Sequence, residues 1–253
     1  MVNLKAALTI LVLILLPLVL TAGPVRAEEP EAPGLLLLYA TNSVRAQHLV
    51  KILEKPAGEA GFKVTAVTKV FGRAGALKEF MEKEHARLKF DRQRIVLLGF
   101  SKSGKDALKF TVKYHEKLAG TIIAAAADFA ISRNDTKGIG HDYPFLLFYS
   151  RADTTASYKI GRDARTVLRK SKQDATFIAD ESLNHFGIMQ KGHKTFLPWA
   201  AEYSYYWKHL KLAKAALKDN KRDVATEHWK KFKKKYKRSE LNEKFETLLR
   251  TED

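Results

Sequence analysis

Cysteine is absent from all 253 residues. That excludes a disulfide framework and a lipid-modified cysteine anchor. Acidic residues are short against basic ones, 28 Asp and Glu to 45 Lys and Arg, which leaves a formal net charge of +17. No internal repeat is visible. Histidines and carboxylates show no metal-ligand spacing, so neither a metal nor another cofactor is expected. Beyond the first thirty residues, no apolar run is long enough to read as a membrane span.

The one long apolar run is at the start. Lys5 precedes ALTILVLILLPLVL, and Val25-Arg26-Ala27 then offers small residues around a cleavage point. This is the pattern of a secretory signal over residues 1–27, cut after Ala27, and it predicts an exported protein. An uncleaved membrane anchor is the alternative, because the run is long for a signal. Removing a segment that carries Lys5 and Arg26 takes the charge from +17 to +15. Much of the excess lies near the end: Lys208 to Arg238 holds thirteen Lys and Arg against Asp219, Asp223 and Glu227. The part before it is closer to neutral, so charge says little about the main domain's chemistry.

After a polar linker over residues 28–33, the chain alternates between two periodicities. GLLLLYA, KVTAVTKV, RIVLLGF, TIIAAAAD, PFLLFYS and DATFIAD are apolar runs of strand length. Between most of them lie helical spacings: VRAQHLVKILEK, GALKEFMEKEHARL, SGKDALKFTVKYHEKL and a stretch around 156–170. Continuous apolar strands alternating with helices predict a mostly parallel sheet covered on both faces, a doubly wound α/β domain over residues 34–206. From 207 to 253 the pattern becomes wholly helical. Ala225, Trp229, Phe232 and Tyr236 share one helical face, and Leu241, Phe245, Leu248 and Leu249 can form a second. A hairpin that buries these faces accounts for them, with lysines on the wet side. The other reading is a basic surface for an anionic surface or polymer. Nucleic acid is disfavoured as the partner, because helical burial already explains the interleaved aromatics.

Residues 97–108, LLGFSKSGKDAL, fit two patterns at once. Gly99, Gly104 and Lys105 match G-x-x-x-x-G-K-[ST] except at the last position. There a hydroxyl should bind magnesium, and the chain has Asp106. Gly99, Ser101 and Ser103 match G-x-S-x-small, a serine on a tight strand-to-helix turn that needs small neighbours where backbones crowd. Centring the second pattern on Ser103 would put Lys105 in a crowded place. Ser101 is therefore the candidate nucleophile.

At this turn the chain resembles the α/β-hydrolase superfamily, particularly small carboxylesterases whose turn reads G-F-S-x-G-G; here Ser103 stands at the first closing glycine. The family's order is serine, acid, histidine, each in a loop after a strand. PFLLFYSRADTTASY places Asp153 just past a strand, with helix N-capping as its alternative role. DATFIADESLNHFGIM ends a further strand, and its Asn184-His185-Phe186-Gly187 resembles the histidine loop of these enzymes. The resemblance covers roughly residues 34–205. It implies a Ser101–Asp153–His185 triad, at strand ends where open α/β sheets hold their sites. It also implies an oxyanion hole using the backbone N–H of Lys102 and one from the loop at Thr41, although no H-G-G-G motif occurs there.

The expected function is hydrolysis of small-molecule or polymer carboxylic esters through an acyl-enzyme. A catalytically inactive binding protein, and peptidase or acyltransferase chemistry on the same triad, are the alternatives. About fifteen residues, 129–143, separate the fourth and fifth strands, too few for a cap domain. An open site without a large lid follows, with His141 and Asp142 as candidate substrate contacts.

Overall fold

The computed structural model describes residues 31–68 and 75–251. The expected leader and the first half of the linker, residues 28–30, lie outside the described residues. Ala32–Asp253 is one compact unit.

Six strands make one parallel sheet in the order β2-β1-β3-β4-β5-β6: β1 Gly34–Tyr39, β2 Phe62–Val67, β3 Ile95–Phe100, β4 Gly120–Ala124, β5 Pro144–Ser150 and β6 Asp174–Asp180. β1, β3, β4 and β5 are buried at every residue. Covered on both faces, an interior parallel strand has no wet side, so alternation disappears from its sequence. The edges differ: β2 exposes Lys63, and β6 is only half-buried along most of its length. The chain enters at β1, steps out to β2, then crosses back and runs from β3 to β6. The direction reverses between β1 and β3, so the connections from their carboxyl ends part there and open a crevice.

Helices cover the sheet: α1 Ser43–Glu59, α2 Ala76–Leu88, α3 Gly104–Tyr114 and α4 Tyr158–Lys170, then short α5 Gly187–Gln190 and long α6 His193–Lys218. α1 shows how sequence sets position. The Asn42 side chain accepts a hydrogen bond from the Arg45 backbone N–H at 2.8 Å, satisfying one free donor of the first turn. Ala46, Leu49, Leu53 and Ala57 then bury one face. The expected α/β fold and its helical C-terminal region are both present.

The expected division at residue 207 falls inside the 26-residue helix α6. Its first half puts Phe196, Leu197, Trp199 and Ala200 into the main core. Its second half puts Tyr205, Tyr206, Leu210, Ala213 and Ala216 into a second cluster with α7, Arg222–Lys235, and α8, Leu241–Thr251. A helix with apolar residues for two cores has no composition break where one core gives way to the other. Phe232 and Phe245 are fully buried in the second cluster. Arg94 lies over the rings of Phe62 and Tyr205, and Lys208 and Lys244 pair with Asp91 and Asp174 at 2.8 and 2.7 Å. Asp91 and Arg94 precede β3, and Asp174 begins β6. The basic segment therefore packs at the amino ends of the strands. Among the described residues, no helix is long and apolar enough to cross a membrane.

Two outcomes follow for this second cluster. Phe232→Ala should cost about 3–5 kcal/mol in urea unfolding, the usual range for emptying a buried aromatic site. Within the same cluster, the Nδ1 atoms of His209 and His228 lie 3.2 Å apart. Burial, then Lys231 and Lys208, lower the pKa of His228. The folded chain resists a proton that the unfolded chain accepts near ~6.5. The contribution to stability is thus complete above that pH and is lost as pH falls through it. The Tm of the wild type should fall more between pH 8 and pH 5.5 than that of His228→Gln; equal falls would exclude this histidine as a source.

Candidate active site

β3 ends at Phe100, and a single 3-10 turn, Ser101–Ser103, leads directly into α3. Ser101 has φ of 57°, the left-handed region that a residue with a Cβ rarely occupies. The turn tightens because two glycines let backbones meet. A Cβ on Gly99 would lie 2.5 Å from the Ala107 Cβ, and one on Gly104 would lie 2.3 Å from the Ala126 Cβ. A Cβ on Gly99 would also lie 3.0 Å from the Ser103 carbonyl oxygen, so the turn is close at position 103 as well as at Gly104. Ser103 is fully buried, and its hydroxyl makes no hydrogen bond among the described residues.

β5 delivers the acid. The Asp153 side chain is fully buried. Its Oδ1 accepts from the backbone N–H groups of Thr155 and Ala156 at 2.7 and 3.0 Å. Its Oδ2 lies 2.8 Å from His185 Nδ1. Asp153 does not cap α4; Ser157 does, accepting from the Lys159 N–H. The carboxylate instead organises the turn before that helix.

β6 delivers the histidine on a loop held from both ends. Asp180 Oδ1 accepts from the Ser182 N–H at 2.8 Å, the Leu183 N–H at 2.9 Å and the Ser182 hydroxyl at 3.2 Å. The Ser182 backbone bond is the main reason its carboxyl lies below the usual carboxylate range, with Leu183 and the Ser182 hydroxyl adding to it against partial burial. Asn184 accepts from the Gly187 N–H at 2.8 Å where α5 begins. Arg151 joins the acid loop to this one, through its N–H to the Asp180 carbonyl and its Nε to Glu181, each at 2.8 Å. Between these anchors, the His185 ring stacks on Phe100 with centroids 5.0 Å apart. Its Nε2 lies 2.9 Å from Ser101 Oγ. A carboxylate only accepts, so in neutral imidazole the proton sits on Nδ1 and Nε2 is left to accept from the serine hydroxyl.

Ser101, His185 and Asp153 thus form one hydrogen-bonded row beyond the carboxyl ends of β3, β6 and β5. Lys102 lies in the first turn after β3, where a helical backbone leaves N–H groups without internal acceptors. Tyr39 pairs with Gly99 in register, and Thr41 follows in the loop after β1, the strand beside β3. Thr41 is exposed. His141 and Asp142 are elsewhere. They precede β5, and the Asp142 N–H donates to the Lys172 carbonyl just before β6, at the amino ends of the strands, opposite the end that carries Ser101. The long connection from β4 doubles back over the domain before β5, so residues late in it cannot stay near the serine. Sequence reasoning missed the loop anchors Asp180 and Asn184; their Asx-type positions just past a strand were the available signal. Among the described residues, no group of three His, Asp or Glu could hold a metal ion.

A parallel sheet with a serine on a left-handed turn between its central strand and the next helix defines an α/β-hydrolase. Residues 68–191 match the model of the phospholipase/carboxylesterase family, and the chain is a serine hydrolase of the carboxylesterase type. The solved esterase PE8 is similar at 17% identity and TM-score 0.52, over 68% of this chain and 93% of that one. A variant of SOBER1 from Arabidopsis thaliana is similar at 14% identity and TM-score 0.50, over 68% and 98%. Both likenesses are of fold. No curated protein matches the chain.

The turn's packing is open to test by a pair of substitutions. Gly104→Val forces a side chain against Ala126 and should cost about 1–3 kcal/mol of stability. Ser103→Ala removes a buried hydroxyl without a hydrogen bond and should leave the urea midpoint unchanged or slightly raised. A larger loss for Ser103→Ala would mean that the hydroxyl has a structural partner.

Proposed function

We propose that the chain hydrolyses carboxylic esters through an acyl-enzyme on Ser101. The observation that carries this reading is the row from Ser101 Oγ through both nitrogens of His185 to buried Asp153. Serine is a weak nucleophile at its free pKa, and His185 Nε2 is placed to take its proton as Oγ bonds to the acyl carbon. Asp153, fixed by Thr155 and Ala156, holds the imidazole in the required tautomer and stabilises the imidazolium that forms. The tetrahedral oxyanion is assigned to the N–H groups of Lys102 and Thr41, at the crevice between β3 and β1. As the carbon–oxygen bond of the ester breaks, His185 returns the proton to the departing alcohol. Water then repeats the cycle and releases the acid. The connection from β4 to β5 contributes only a 3-10 turn, Arg133–Thr136, which suits an open site without a cap domain.

A fluorophosphonate should label Ser101 and leave Ser103 unmodified, as read by peptide mass spectrometry. Asp153→Asn should lower kcat by roughly 10²–10⁴-fold, because it favours the wrong tautomer. Asp163→Asn, which alters an exposed partner of Arg162, should leave kcat near that of the wild type. Labelling at Ser103, or equal effects of the two Asp changes, would sink this assignment.

A further inference from the structure

Among the described residues, the exposed large apolar side chains are Val44 at 76%, Phe186 at 69% and Val224 at 40%. A single exposed apolar residue needs no explanation. Two of these three, however, belong to segments flanking Ser101: Val44 follows the loop of Thr41, and Phe186 follows His185. Val224 lies on α7, in the segment packed at the amino ends of the strands.

Phe186 is held outward by its own backbone. Its carbonyl accepts from the N–H groups of Met189 and Gln190 at 3.1 and 3.2 Å. Asn184 caps the same turn. The ring meets the His185 ring edge-on, with centroids 5.9 Å apart and planes at 79°. His185 is therefore set between a buried ring, Phe100, and an exposed one, Phe186. Most of that ring is left in water, where burying apolar area would be favourable. An apolar ligand group laid on the ring would bury part of it.

The proposed reaction says which group this is, and the inference rests on that reading. His185 must hand its proton to the leaving oxygen, so the alcohol portion departs on the imidazole side of the tetrahedral centre. Phe186 is the side chain beside that imidazole. We infer that Phe186 is a specificity-determining residue that contacts the leaving group and favours esters of apolar, aromatic or long-chain alcohols over methyl esters.

The test uses the full chain and acetate esters that differ only in the alcohol: methyl, butyl and benzyl. The wild type should show higher kcat/KM for benzyl than for methyl acetate. Phe186→Ala should reduce that preference by about 3–10-fold, the worth of one aromatic contact. Phe186→Tyr should restore it. Val224→Ala, equally an exposed apolar truncation, should not alter it. Lengthening the acyl group on a fixed methyl alcohol should affect wild type and Phe186→Ala alike. Melting curves should coincide, because the ring is exposed. An unchanged benzyl-to-methyl ratio in Phe186→Ala, with Ser101 still labelled by fluorophosphonate, would overturn this inference and leave the acyl-enzyme reading standing. Absence of both labelling and turnover in the wild type would overturn both.

Discussion

Ser101 sits at φ of 57°, where its Cβ crowds its own backbone, and that conformation costs on the order of 1–3 kcal/mol. The rest of the site is arranged around keeping it there. Gly99 and Gly104 let β3, α3 and the segment after β4 approach to distances that any side chain would prevent. The hydroxyl is thereby lifted off the end of β3 and out of the helix that follows. In ordinary strand geometry the same serine would alternate into one face of the sheet, out of reach of a loop arriving from β6.

The other two members of the row depend on the same frame. β5 and β6 pair over seven residues, ending at Ser150 and Asp180. The loops bearing Asp153 and His185 therefore start side by side. Each is shaped by a carboxylate that accepts backbone N–H groups, Asp153 in one and Asp180 in the other. Asp153 faces both ways: one oxygen builds its turn, and the other receives the imidazole N–H. Local folding and alignment of the histidine are consequently one event, achieved by a single buried carboxylate.

At the amino ends of the strands, a different balance holds. The lysine-rich segment is tied to the domain through a long shared helix, Phe232 and Phe245 in a buried cluster, and pairs that Lys208 and Lys244 make with Asp91 and Asp174. Its charge lies at the amino ends of the strands, and the hydrogen-bonded row lies at their carboxyl ends. The length of the strands separates them, so the segment's basic character and the chemistry of the serine are carried by opposite ends of one core.

Much of this was legible in the sequence because it follows from periodicity. Runs such as GLLLLY and PFLLFYS have no polar face, which only an interior parallel strand allows, and the strand-to-helix turn identified Ser101. The order of Ser101, Asp153 and His185 singled out three residues that the sheet brings within hydrogen-bonding distance. Distance between chain segments was not legible. Nothing local could say that Ala126 packs on Gly104, or that a connection returning to the start of β5 carries His141 and Asp142 to the amino ends of the strands. Nor could it say that a helix begun in one core would finish in another. Periodicity is a property of neighbours along the chain and needs no fold to exist. Close approach, side of the sheet and shared helices depend on which surfaces meet, and only the tertiary structure decides that.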